Sequence, residues 1–437
     1  MAPIRDRASN QKGQTVVAII ADDLSGATDT AVACVERGLR TVVALGETGD
    51  LGAAEAIAID ADTRRLTSDA AAAEMARHVR AHVTACGGLL FKKIDSTLRG
   101  HIGPEVAALL NARRHVTGRA SGQRTIAVLA PAFPALGRTT VNGHQHLDGV
   151  PLEETELWRC EGITGSASLL DMMNRSGLES RLVPIETVRR GAGSIRAAMT
   201  DAAKQVDVLV SDAETEEDLA ALARASLEIG GDPVWVGSAG LIGHLLDAAD
   251  VSRQITNIPE PGLSAGPLLF VVGSLSSVSR RQAERLSKED VVVLPIDSNV
   301  GPTALADLLA STLAAGKDVL LQSTPKAVLS RPDAVALCAA LGELVAPHVW
   351  HIGGLFATGG ETARAVLTGM GVKTLRPVTE IERGIPLSVA GGPRPFPVIT
   401  KAGAFGNLAT MLNCRRILHE CHLATFSPAA LYRKVPL

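Results

Sequence analysis

The chain has 437 residues, a net charge of −3, 46% hydrophobic and 20% charged side chains: the composition of a folded globular protein too long for one ordinary core, which implies two or three domains. Near-neutral charge and only 3% aromatic residues leave neither the basic surface nor the stacking platform that nucleic acid needs, so that partner class is excluded. The first fourteen residues are polar and no apolar run reaches the roughly 18 residues of a membrane span, so a cytoplasmic protein without a membrane partner is expected. Six cysteines are scattered without a C-x-x-C pair, the pattern of reduced packing residues.

In chain order, the first half alternates apolar runs with alanine-rich stretches of helical period, as in an α/β protein with a largely parallel sheet. TVVAIIA (15–21) reads as a buried strand and 26–37 as the helix after its turn. Strands are expected at 39–45, 57–60, 89–94, 125–129, 207–211 and 234–236, and a helix at 68–84. PAFPALGRTTVNGHQH (131–146) reads as a long functional loop in which Arg138, Thr139, Asn142 and His144 close over a ligand. The stretch 250–267 has three prolines and no apolar period, and reads as a linker. A second α/β unit follows, with strands at 268–272, 291–296, 318–323 and 389–399 and helices at 279–286, 304–315, 332–345 and 362–368. The expected architecture is α/β: two α/β domains with largely parallel sheets, 1–249 and 268–437, and a ligand cleft between them.

Chemistry gathers where expected strands end. Asp22 and Asp23 in ADDLSGATD (21–29) fall at the carboxyl edge of a parallel sheet, where ligands of open α/β sheets bind. There they can accept hydrogen bonds from substrate hydroxyls, or Asp23 can cap the next helix. In DTRR (62–65) an arginine fork matches a substrate carboxylate. FKKIDSTLRG (91–100) is the densest cluster. With Phe91 and Ile94 in the core, Lys92 or Lys93 can bind a carboxylate, one of the two being free to stay exposed, and Asp95 can reach a hydroxyl as general base. Ser96, Thr97 and Arg99 open the following helix, whose backbone donors add to an anion site.

The second unit carries three glycine-rich turns: VGSLSSVS (272–279), ATGGET (357–362) and TKAGAFGN (400–407). Glycine lets the backbone approach a phosphate closely, and free N–H groups at a helix start attract it. None is a P-loop or a dinucleotide fingerprint.

Taken together, ADDLSGATDTA, DTRR, FKKIDSTLRGHIG, APAFPALGRTTVNG, WVGSAGL, VVGSLSSVSRRQ, ATGGETARAVL and TKAGAFGN resemble the four-carbon acid sugar kinase family over nearly the whole chain. The resemblance implies an ATP-dependent, Mg²⁺-assisted transfer to the 4-hydroxyl of a small sugar acid, with D-threonate or D-erythronate favoured and a 3-oxo-tetronate as alternative. It implies substrate contacts from Asp22, Asp23, Arg64, Lys92, Lys93, Ile94, Asp95 and Ser96, with Asp95 and Lys93 catalytic. It further implies nucleotide contacts from Ser274, Thr358, Gly359, Gly360, Glu361, Lys401, Ala402 and Gly403, and names no protein ligand for the metal. Ala404 stands where glycine is usual in the family. A ribokinase-type enzyme, suggested by AGAFGN, and a non-catalytic sensor of an acid metabolite and nucleotide are the other readings. A homo-oligomer is compatible with all of them.

Overall fold

Short runs of aliphatic and β-branched residues, each closed by Gly, Asp or Ser, make the strands of the computed structural model, which describes residues 15–46, 51, 53–82, 88–116, 124–161, 163–229, 231–251, 263–273, 276–296, 302–323 and 331–423. Two compact units result: Met1–Thr41 with Leu51–Ile255, and Val42–Asp50 with Thr256–Leu437. Most of the expected linker, 252–262, lies outside the described residues, as do Cys86, Ser274 and the C-terminal stretch from 424.

The first unit is built on a parallel sheet in the order Ala56–Asp60, Val17–Ala21, Leu89–Lys93, Asp232–Gly237, Thr125–Ala130, Val208–Ser211, Ser180–Val183. Val17–Ala21, Leu89–Lys93 and Thr125–Ala130 are buried at every position, as a parallel sheet covered on both faces requires. On one face Ala18, Ile20, Leu90 and Ile94 pack against Met75 and Val79 of helix Ser68–His82 and against Val106, Leu109 and Leu110 of helix Ile102–Val116.

The segment expected as a long loop is instead a small antiparallel sheet of Arg138–Val141, His144–Leu147 and Val150–Pro151. Its first turn is Asn142-Gly143, both left-handed (φ 51° and 73°), the conformation a two-residue hairpin turn needs. Asp212 holds that turn by accepting from the amides of Asn142 (3.0 Å), Gly143 (2.8 Å) and Ile185 (3.1 Å).

In the second unit the order is Val292–Ile296, Val319–Ser323, Leu268–Val272, Gly354–Thr358, Pro397–Lys401, all parallel, continued antiparallel by Ile385–Ala390, Thr374–Glu382 and Thr41–Leu45. The single strand expected at 389–399 is thus two, separated by 391–396. The nine-residue strand Thr374–Glu382 was not expected. It takes Thr41–Leu45 as a partner (Thr374 opposite Ala44), so 42–46 belongs to the second unit although sequence order places it with the first. Among the described residues no helix is long and apolar enough to cross a membrane.

Candidate active site

Register decides which segments of the first unit meet. Ala21 lies opposite Asp60 and Lys93, and Gly237 opposite Lys93 and Ala130. Residues 22–25, 61–65, 94–99, 131–133 and 238–240 therefore leave the carboxyl edge of the sheet side by side.

Asp23 caps helix Leu24–Val35, Oδ1 accepting from the Gly26 amide at 2.8 Å. Its Oδ2 accepts from Arg64 Nη1 at 2.9 Å, while Asp22 Oδ2 accepts from Arg64 Nε (3.0 Å) and Nη2 (2.8 Å). The fork read as a carboxylate clamp thus joins two carboxylates of the chain itself. Asp22 Oδ1 is buried with no hydrogen-bond partner. Burial by itself would raise the Asp22 carboxyl, but the charges of Arg64, then Lys92 and Lys93, outweigh it and hold the group below its ordinary value.

Lys92 and Lys93 point to opposite faces of their strand, as strand alternation dictates, and neither is exposed. Lys92 Nζ lies 2.8 Å from Glu105 Oε2 and donates to the Lys93 carbonyl at 3.2 Å, with both Lys92 and Glu105 fully enclosed. Lys93 Nζ, on the side of helix Leu24–Val35, donates to the Ile94 carbonyl at 3.0 Å. Ile94 itself has its side chain in the core and its N–H bonded to the Gly237 carbonyl at 2.9 Å, so it offers no side-chain contact to a ligand. Ser96 is buried, and its carbonyl accepts from Gln145 Nε2 at 2.9 Å.

Leu98 adopts φ +58°, an uncommon conformation for a branched residue, and the bend folds Arg99 back onto Asp95. Arg99 Nε and Nη2 donate to Asp95 Oδ2 (2.7 Å) and Oδ1 (3.2 Å), and the Thr97 hydroxyl donates to Oδ2 as well. Burial works to raise the Asp95 carboxyl, but Arg99, Arg64 and the Thr97 hydroxyl together hold it well below the usual range. Glu105, which fixes Lys92 from behind, carries no motif in the sequence, and Gln145, which fixes Ser96, lies in the 131–146 stretch with nothing there to single it out.

In the second unit Val272 lies opposite Thr358, and Thr358 opposite Lys401, which brings the three glycine-rich turns to one sheet edge. Gly359 is left-handed (φ +88°), and its amide donates to the Lys401 carbonyl at 2.8 Å just before helix Gly360–Gly369 begins. A Cβ on Gly273 would lie 2.3 Å from Thr362 Oγ1, so only glycine lets the first turn approach that helix. Ala404 lies outside the left-handed region, which this turn assigns to Gly406 (φ +81°).

Family models match both halves: a sugar-binding N-terminal domain over 17–245 and a nucleotide-binding C-terminal domain over 269–411. A D-threonate kinase of Cupriavidus necator is 39% identical over 92% of this chain and 98% of its own length, and one of Salmonella typhimurium is 31% identical over the same shares. The chain belongs to the four-carbon acid sugar kinase family. A solved structure from Salmonella typhimurium LT2 shares the fold, with a TM-score of 0.74 at 22% identity over 92% of this chain and 99% of that one.

The kinase is a phosphotransferase with an alcohol group as acceptor, and the residues of its second edge fit a nucleotide phosphate. Thr358 Oγ1 is buried without a partner at the strand end, beside the first-turn amides of helix Gly360–Gly369, which no intrahelical carbonyl satisfies. A divalent cation fits less directly: among the described residues no group of three or more His, Cys, Asp or Glu side chains is gathered.

Proposed function

We propose that the kinase phosphorylates the 4-hydroxyl of a four-carbon sugar acid with ATP and Mg²⁺, and that D-threonate is the substrate, as in the two relatives of that name. The observation that carries the reading is the buried, unpartnered Oδ1 of Asp22 at the same edge as Lys93 and Asp95. A buried acceptor without a donor is costly, and a substrate hydroxyl supplies the missing bond. Lys93 donates one of its three N–H groups to Ile94, and the other two meet the substrate carboxylate.

ATP supplies the phosphoryl group, its charge offset by Mg²⁺ and by the helix start at Gly360. As the 4-hydroxyl oxygen bonds to phosphorus and the bond to ADP breaks, the hydroxyl proton passes to Asp95, which exchanges an Arg99 hydrogen bond for the substrate. Exchange of an Arg99 hydrogen bond for the substrate removes part of what holds the Asp95 carboxyl low and so makes it a better acceptor for the proton.

Coupled ADP-release assays with D-threonate, D-erythronate and the 3-oxo-tetronate test the reading. Turnover is expected with D-threonate, and Asp95→Asn should lower kcat by about 10²- to 10⁴-fold while ATP affinity survives. Thermal stabilisation by sugar acid and nucleotide without ADP release from any of them would make the protein a sensor.

A further inference from the structure

We propose that Lys401 is a positioning residue for the nucleotide: it holds the turn 402–407 in shape from inside, with Ser279 and Gln282, and does not touch the phosphates. The proposal rests on the nucleotide-binding reading of the second unit. Lys401 ends a strand whose every residue is buried, and its own side chain is fully enclosed. Its Nζ lies 3.1 Å from Ser279 Oγ and 3.0 Å from each of the carbonyl oxygens of Ala402, Gly403 and Phe405. The Ser279 hydroxyl donates to the Gly403 carbonyl at 2.7 Å, and Gln282 Nε2 to the carbonyls of Phe405 (3.1 Å) and Asn407 (2.8 Å). Side chains of one strand end and of helix Ser277–Leu286 thereby draw four carbonyls of the turn inward.

That arrangement has a consequence for the amides. In a planar trans peptide the C=O of one residue and the N–H of the next point in opposite directions. Inward carbonyls at Ala402, Gly403 and Phe405 therefore turn the N–H groups of Gly403, Ala404 and Gly406 outward, and Ala404 and Gly406 are exposed. The Phe405 amide donates within the turn to the Ala402 carbonyl at 3.1 Å, and the adjacent outward amides of Gly403 and Ala404, with that of Gly406 beyond them, make an anion-binding concavity. Converging carbonyl oxygens repel one another, and an ammonium with three donors at their centre offsets that repulsion. Burial still costs the charged form, which pushes the Lys401 ammonium down to about 8, with Cys414 and Glu382 acting in the other direction. Glu382 is engaged by Thr410 Oγ1 at 2.6 Å and Asn413 Nδ2 at 3.3 Å. No donor of Lys401 needs a phosphate, because four oxygens already surround three hydrogens.

Calorimetric titration of ATP into full-length wild type, Lys401→Met, Ser279→Ala, Gln282→Leu and the Lys401→Met/Ser279→Ala double variant decides the matter. Each single variant is expected to lose about tenfold in affinity, with the KM for the sugar acid unchanged. The double variant should be no weaker than Lys401→Met, because both act through one network. Wild-type affinity in Ser279→Ala and Gln282→Leu beside a loss in Lys401→Met would mean that Lys401 acts on the nucleotide itself, and overturns the proposal. Additive losses in the double variant overturn it as well. Should Lys401→Met not fold, losses of about tenfold in both Ser279→Ala and Gln282→Leu support the proposal and wild-type affinity in both overturns it. A wild type that binds no ATP refutes the nucleotide reading instead, which keeps the two failures distinct.

Discussion

Arg64→Met tests how the acid edge of the first unit is held together. The wild-type guanidinium donates three hydrogen bonds, of 2.8 to 3.0 Å, to two largely buried carboxylates. Removing one partner of a buried pair leaves uncompensated charge and costs about 3–5 kcal/mol. The pH dependence is diagnostic. In the wild type the Asp22 carboxyl is held below its unfolded value, so its contribution to stability is present above that value and lost as pH falls through the folded one. Without Arg64 the chief opponent of burial is gone and the Asp22 carboxyl moves up. A raised group contributes stability that is full below the unfolded pKa and is lost as pH rises through the folded pKa. Relative to wild type, Arg64→Met should therefore lose most stability at about pH 7.5 and less at about pH 5. Urea unfolding followed by tryptophan fluorescence reports on the right unit, since Trp158 and Trp235 are buried there whereas Trp350 in the second unit is exposed. A variant within about 1 kcal/mol of wild type at both pH values, with the same slope, would refute the account of Arg64 as the charge that keeps Asp22 ionised.

The enclosed Lys92–Glu105 pair predicts that Glu105→Leu alone destabilises by about 3–5 kcal/mol and that Lys92→Met/Glu105→Leu regains most of it. The double variant should keep its KM for the sugar acid within about tenfold; a much larger rise would make Lys92 a substrate ligand. Gly273→Ala places a methyl 2.3 Å from Thr362 Oγ1 and 2.9 Å from its Cγ2. It should cost about 1–3 kcal/mol and raise the KM for ATP without changing that for the sugar acid, so equal changes in both would place the damage elsewhere.

Residues at the ends of all-apolar runs were legible because charge inside a buried strand needs a buried partner, as Lys92 has in Glu105, whereas charge at the strand end does not. Asp22, Asp23, Asp95 and the ATGGET turn do stand at the carboxyl edges of their sheets. The Asn142-Gly143 hairpin was also written in the sequence, in the one dipeptide that most favours a two-residue turn, and was masked by the prolines and glycines around it. Thr41–Leu45 could not be placed, because its partner Thr374–Glu382 lies more than 300 residues away and local periodicity says nothing about such pairings.

Glu105 is the instructive case. On helix Ile102–Val116 the buried positions include Ile102, Glu105, Val106, Leu109, Leu110 and Arg113, a stripe at helical spacing in which two charges replace apolar side chains. A charge on such a stripe must have a buried partner of opposite sign, so the helix announces two partners without naming them. The structure supplies Lys92 for Glu105 and Asp232 for Arg113, at 2.8 Å each. Since a lysine already paired inside the protein has little to offer a ligand, the substrate carboxylate falls, in the proposed function, to Lys93 on the other face, which donates to the Ile94 carbonyl. The same reasoning, applied to a lysine that ends the all-buried strand Pro397–Lys401, predicts an internal partner before a phosphate.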